Sequence, residues 1–294
     1  MMKKIILIIF FSTIYSMFLP IEGACKTNND SITNIYKNMC WLLKENTDEI
    51  FLAEYGAEAF NYGIEILKKM PSSQEAYYSI FLINSSAFKS YQHKIGEIFI
   101  PLNNKHYPHI DDPNFEESEK LIYLILYSHG IGTKSIAEQT ERKKKTFEVL
   151  KNIQENCKNR DYAALATAML FLSNKIDDRL NFINYFIKNF PAHPAISDVK
   201  FNKILNVYDL DKISSDSSKI NECILETNKL IDEYGNKNLP EGWNFSIECY
   251  GLLIYCYKFI NNNEKALKYY KLIEKEAPNY WLINDLKETI KDIR

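Results

Sequence analysis

The chain has 294 residues, enough for one or two ordinary domains, and its 46% hydrophobic content supplies a continuous core, which excludes a disordered chain. Nine glycines and nine prolines are too few for the many tight turns of an all-β protein, so helices are the expected element. A formal charge of −2 gives no electrostatic basis for binding nucleic acid.

The first stretch, MMKKIILIIFFSTIYSMFLPIEGAC, has the three parts of a secretory signal: two lysines, an apolar run from Ile5 to Leu19, and small residues at Gly23 and Ala24. A cut after Gly23 would remove residues 1–23 as a signal peptide. Lipidation of Cys25 is the rival reading, although Glu22 stands where that motif wants an aliphatic residue. An uncut anchor is a third, and the apolar run falls short of the roughly 20 residues that span a bilayer. No later run is long enough to cross a membrane, so the expected location is secreted or periplasmic, in the cell envelope, with membrane contact only through the N-terminus.

Residues 24–144 read as degenerate helical repeats. AEAFNYGIEILKKM stops at Pro71, and a short polar link leads to a second helix through AYYSIFLINSSAF. Ser90 to Asp112 fits no helical period and is expected to be an elongated loop. Its His106, His109, Asp111 and Asp112 are ligand types without the spacing of a defined metal site, and Pro108 and Pro113 favour an exposed loop. Helix resumes at FEESEKLIYLILYS, breaks at Gly130 and Gly132, and continues through TFEVLKNIQENC. The basic run Arg142 to Lys145 follows Glu138 and Glu141 and reads as a solvated helical face.

From residue 145 the pattern sharpens into helical hairpins. DYAALATAMLFLSNKIDDRLNFINYFIKNFP carries Leu180, Ile183, Phe186 and Phe190 on one face and ends at Pro191. INECILETNKLIDEYG closes at Gly235, where a left-handed glycine is expected. YGLLIYCYKFINNNEKALKYYKLIEKEAP places two amphipathic helices around the turn NNNE, with Asn263 as the expected N-cap and Ala266 where the helices approach. Trp281, Leu282, Leu286 and Ile290 mark one face of a terminal helix.

These residues carry a resemblance. Tyr250-x2-Leu253-Ile254-x2-Tyr257, then Ala266-x3-Tyr270, then Pro278, is similar to the tetratricopeptide repeat, W-x2-L-G-x2-Y, A-x3-F, P. Ile254 replaces the family's small residue, and Arg179 does so in the unit that ends at Pro191. Asn184 to about Leu210, with its P-x-H-P between two helices, also resembles repeats of bacterial outer-membrane assembly lipoproteins and of the periplasmic coordinator of the Tol system. The resemblance implies an all-α fold, an α-α superhelix of about ten to twelve helices closed by a C-terminal capping helix. It implies a protein or peptide partner held in a concave groove, an envelope setting, and no catalysis.

Three residues on the predicted helix from Phe245 to Phe259 fall off its apolar stripe: Glu248, Tyr255 and Lys258. They lie on the face that in this family lines the groove, and are the expected binding set. No metal or cofactor is expected, and no His lies in a nucleophile motif. Paired acids such as Glu116–Glu117 and Asp177–Asp178 stand at helix starts, where carboxylates meet the positive end of the macrodipole. The alternative is an envelope enzyme of the peptidoglycan-cleaving type, which the helical patterning of nearly the whole mature chain leaves little room for. Of six cysteines, Cys249 and Cys256 sit seven apart on one helix, about 10 Å, and cannot pair with each other. Buried free thiols, or a bridge from Cys223 to one of that pair, both remain open.

Overall fold

The computed structural model describes residues 32–44, 49–92, 110, 116–128, 135–173 and 176–291. The expected signal peptide, Cys25, the histidine- and aspartate-bearing part of the expected loop, and the expected breakers Gly130 and Gly132 lie outside the described residues. Those described form thirteen α-helices, with one isolated antiparallel bridge and no strand among them. They divide into two compact units, one ending at Ala195 and the other beginning at Ile196. The division expected after residue 144 would cut through a continuous helix, Ile136–Asn156.

The first unit holds α1 (Ile32–Lys44), α2 (Glu49–Lys69), α3 (Gln74–Gln92), α4 (Glu117–Ser128), α5 (Ile136–Asn156), α6 (Arg160–Ser173) and α7 (Ile176–Asn189). Each packs on the next, and α1 also meets α3 while α4 also meets α6. Pro71 follows the end of α2, and Ser73 starts α3 by accepting the Ala76 N–H at 3.0 Å. Gly63 lets α2 and α3 approach closely: a Cβ there would stand 2.5 Å from Ile83 Cδ1. Ser135 caps α5 by accepting the Glu138 N–H at 3.1 Å. Within the basic run on α5, Arg142 donates to Glu138 at 2.8 Å and lies over the Tyr127 ring at 5.0 Å, so it packs as well as solvates. Arg179, the departure from the repeat pattern, reaches back from α7 and donates Nε–H to the Phe171 carbonyl at 3.0 Å. The unit closes at Pro191-Ala192-His193-Pro194, where the buried His193 accepts the Ala195 N–H at Nδ1 (3.1 Å) and meets Phe186 edge-on.

The second unit holds α8 (Ile196–Val207), α9 (Leu210–Ile213), α10 (Ser217–Tyr234), α11 (Phe245–Phe259), α12 (Asn263–Glu276) and α13 (Ile283–Thr289). Its helices also follow one another in space, α10 on α8, α11 on α10, α12 on α11, with α13 touching both α11 and α12. The hairpin of α11 and α12 is built as the spacing predicts: Leu253, Ile254, Ala266, Tyr270 and Ile273 are buried together. Two local expectations differ. The N-cap of α12 is Asn262, whose Oδ1 accepts the Lys265 N–H, one residue before the asparagine expected. Gly235 ends α10 in a right-handed conformation (φ −55°); glycine is needed because a Cβ would lie 2.5 Å from the Ile231 carbonyl oxygen. The left-handed glycine is Gly242 (φ 99°), in the turn that follows. No described helix is long and apolar enough to cross a membrane.

Candidate functional site

The second unit brings its chemistry-bearing side chains together where the α10–α11 connection meets the start of α8. That connection is a tight loop: Leu239 N–H donates to the Trp243 carbonyl, Phe245 N–H to Lys237, and Ser246 N–H to Gly235. The bonds hold Lys237 and Trp243 at opposite ends of one turn. Lys237 Nζ donates to Ser197 Oγ at 2.8 Å, and the Ser197 hydroxyl donates to Asp198 Oδ2 at 2.9 Å. Lys237 also stands 3.7 Å from Asp198 Oδ2 directly. Burial pulls the Lys237 ammonium pKa down, and the Asp198 charge partly restores it.

Glu248 lies in the first turn of α11. Its Oε1 accepts the Trp243 indole N–H and its Oε2 the Tyr280 hydroxyl, each at 3.0 Å. The two donor rings meet edge to face at 5.6 Å. The residue keeps some exposure, but its carboxyl is enclosed, and burial pushes that carboxyl up to about 7. The bonds from Trp243 and Tyr280 pull the other way and Asp198 adds to the rise. Burial likewise pushes the Tyr280 hydroxyl and the Cys249 thiol well above their ordinary values.

The expected binding set is not displayed together. Tyr255 is 4% exposed, inside the core, where burial pushes its hydroxyl up to about 12. Glu248 is engaged by Trp243 and Tyr280, and only Lys258, half-buried on the last turn of α11, keeps an outward position. The correction has one physical cause. The segment Tyr280–Ile290 packs on the side of α11 expected to line a groove, so α11 is enclosed by α10, α12 and α13. A helix apolar on nearly every side is a buried helix, and α11 is buried at every position from Phe245 to Tyr257 except Glu248 and Tyr250. Sequence reasoning missed Ser197, Asp198, Lys237 and Trp243, two pairs separated by about forty residues of chain that carry no motif. The one signal available was the loop NKNLPEGW, whose Asn, Pro and Gly mark a tight turn.

A lysine beside a serine hydroxyl is a nucleophile-activating arrangement in some hydrolases. Here Ser197 is 0% exposed and its proton is directed at Asp198, so no external carbonyl can reach Oγ. The cluster fastens the loop to α8 and α11. Among the described residues no group of three His, Cys, Asp or Glu side chains could hold a metal ion. In the first unit an open cleft of about 570 Å³ lies between α4 and α5, lined by Lys120, Lys144 and Lys145 together with Glu141 and Glu148, a mixture that favours neither anions nor cations. Comparisons of the chain with protein-family models, with characterised proteins and with solved structures find no match.

Proposed function

We propose that this protein is an exported, non-catalytic scaffold that captures a polypeptide segment on helical hairpins of the tetratricopeptide kind, in a cell envelope. The observation that supports this reading best is the contrast between the second unit's interior and its surface. The groups with chemical reach are bonded to one another, and Ser197 is enclosed. On the surface, Tyr250 and Tyr269 stay half-exposed along α11 and α12, with ring centroids 5.1 Å apart. Tyr269 stacks on Tyr257 at 5.8 Å and 8°, and Lys265 and Lys268 lie over the rings of Tyr257 and Tyr269. Tyr250 and Tyr269, backed by the buried Tyr257, offer contact area at low entropic cost, and a tyrosine hydroxyl can bond a peptide backbone. Lys258 belongs to the same helix and is the member of the expected set that a partner could still touch.

A photo-crosslinking amino acid placed at Tyr269 tests the proposal, with the same group at exposed Lys144 of α5 as the control. Envelope extract should yield a discrete polypeptide adduct at Tyr269 and not at Lys144. Equal labelling at both positions, or none at either, refutes capture at this surface. Hydrolysis of peptidoglycan by the purified chain would replace the scaffold with the envelope enzyme.

A further inference from the structure

We infer that Cys223 and Cys256 form a disulfide that staples α10 to α11. The two sulfurs stand 3.7 Å apart across the interface of these neighbouring helices, and both residues are 0% exposed. Of the two bridges left open by the sequence, this is the one whose sulfurs the structure shows in contact. A disulfide needs its sulfurs about 2.05 Å apart, so rotation of the two side chains must close the remaining gap.

The bond closes during folding rather than after it. In the folded chain the contact with Cys223 and burial both push the Cys256 thiol well above its ordinary range, so its thiolate, the attacking form, is scarce. While α10 and α11 are still apart, the Cys256 thiolate attacks one sulfur of a small disulfide of the glutathione type. A mixed disulfide forms and one small thiolate leaves. Cys223, deprotonated by solvent, then attacks the Cys256 sulfur and expels the second small thiolate. Two protein thiols lose two electrons and two protons, and one small disulfide is reduced to two thiols. Burial afterwards shields the finished bond from reductants.

The presence of the bond in the cell rests on the proposal of export to an oxidising compartment; its formation in vitro does not. The full chain, denatured and reduced, is refolded in a buffer of oxidised and reduced glutathione, its remaining thiols are alkylated, and it is digested with chymotrypsin, which cuts between Cys249 and Cys256. Mass spectrometry should find the Cys223 and Cys256 peptides joined and lighter by two hydrogens, with Cys249 alkylated. In Cys256→Ser the joined species should vanish and Cys223 should be recovered alkylated; Cys223→Ala serves in its place should that variant fail to refold. Recovery of all six cysteines alkylated in the refolded chain, or of Cys223 joined to Cys249, overturns the inference. The same mapping on chain taken from its host separates the two proposals: a link made in the buffer and missing in the host refutes export and leaves the disulfide geometry standing.

Discussion

Glu248 makes the stability of the second unit fall as pH rises, and Glu248→Gln removes that fall. The unfolded carboxyl releases its proton near 4.5, whereas the enclosed one keeps it to about 7. Between those values the folded state binds more protons than the unfolded state, so the stability present below 4.5 is progressively lost up to about 7 and is constant above it. At about 1.4 kcal/mol per pH unit the loss is at most about 3.5 kcal/mol, and the partial exposure of the residue makes about 1–2 kcal/mol the working expectation. Glutamine keeps the shape and an acceptor for the Trp243 indole while removing the charge. The measurement is urea denaturation of wild type and Glu248→Gln from pH 5 to pH 8, followed by tryptophan fluorescence. Two of the three tryptophans, Trp243 and Trp281, lie in this unit and report on it. All other titrations are common to both proteins, so the difference between their curves isolates Glu248. Relative to wild type, the variant should gain stability with rising pH, with the change centred between 5 and 7. A difference constant within about 0.5 kcal/mol across that range would show that the carboxyl is ionised and solvated throughout, and the enclosure argument would be wrong.

Ala266 is fully buried where α11 meets α12, so Ala266→Leu should overpack that contact and cost about 1–3 kcal/mol; an unchanged thermal melt would refute the close approach. Tyr255→Ala should cost about 3 kcal/mol or more by emptying a core site, while Lys258→Ala should change the melt by under about 0.5 kcal/mol, and equal effects would contradict their placement. Lys237→Met leaves the buried Asp198 without its lysine and should cost about 3 kcal/mol, most of it recovered in Lys237→Met/Asp198→Asn; additive losses in a double-mutant cycle would show that the two do not interact.

The helices were legible in the sequence because their signals are local. Pro71, Pro191 and Pro278 each follow a helix end by two residues, and Ile183, Phe186 and Phe190 repeat at the helical period and are buried. The same locality explains the errors. Asn262 and Asn263 are chemically identical candidates, and only the bond to the Lys265 N–H chooses between them. Gly235 and Gly242 both suit a left-handed turn, and the conformation at each is set by how the chain returns from α10 to α11.

Two members of the expected binding set, Glu248 and Tyr255, are covered for a reason that periodicity cannot detect. A stripe analysis assigns polar or off-stripe residues to solvent, which holds for a helix with one packed face. α11 has neighbours on three sides, and what lies over Glu248 and Tyr255 is a segment some thirty residues further along the chain, in α13 and the turn before it. Burying an acid there is tolerable only because Trp243 and Tyr280 supply donors to both of its oxygens and the carboxyl can keep its proton. The sequence does contain all three partners, but one aromatic precedes the acid by five positions and the other follows it by thirty-two, so no window used to read helices holds them together. It follows that a polar residue in an otherwise apolar helix is ambiguous on its own: it marks either an outer face or a buried site with dedicated donors. Glu248 is of the second kind, with donors from Trp243 in the turn before α11 and from Tyr280 in the turn before α13.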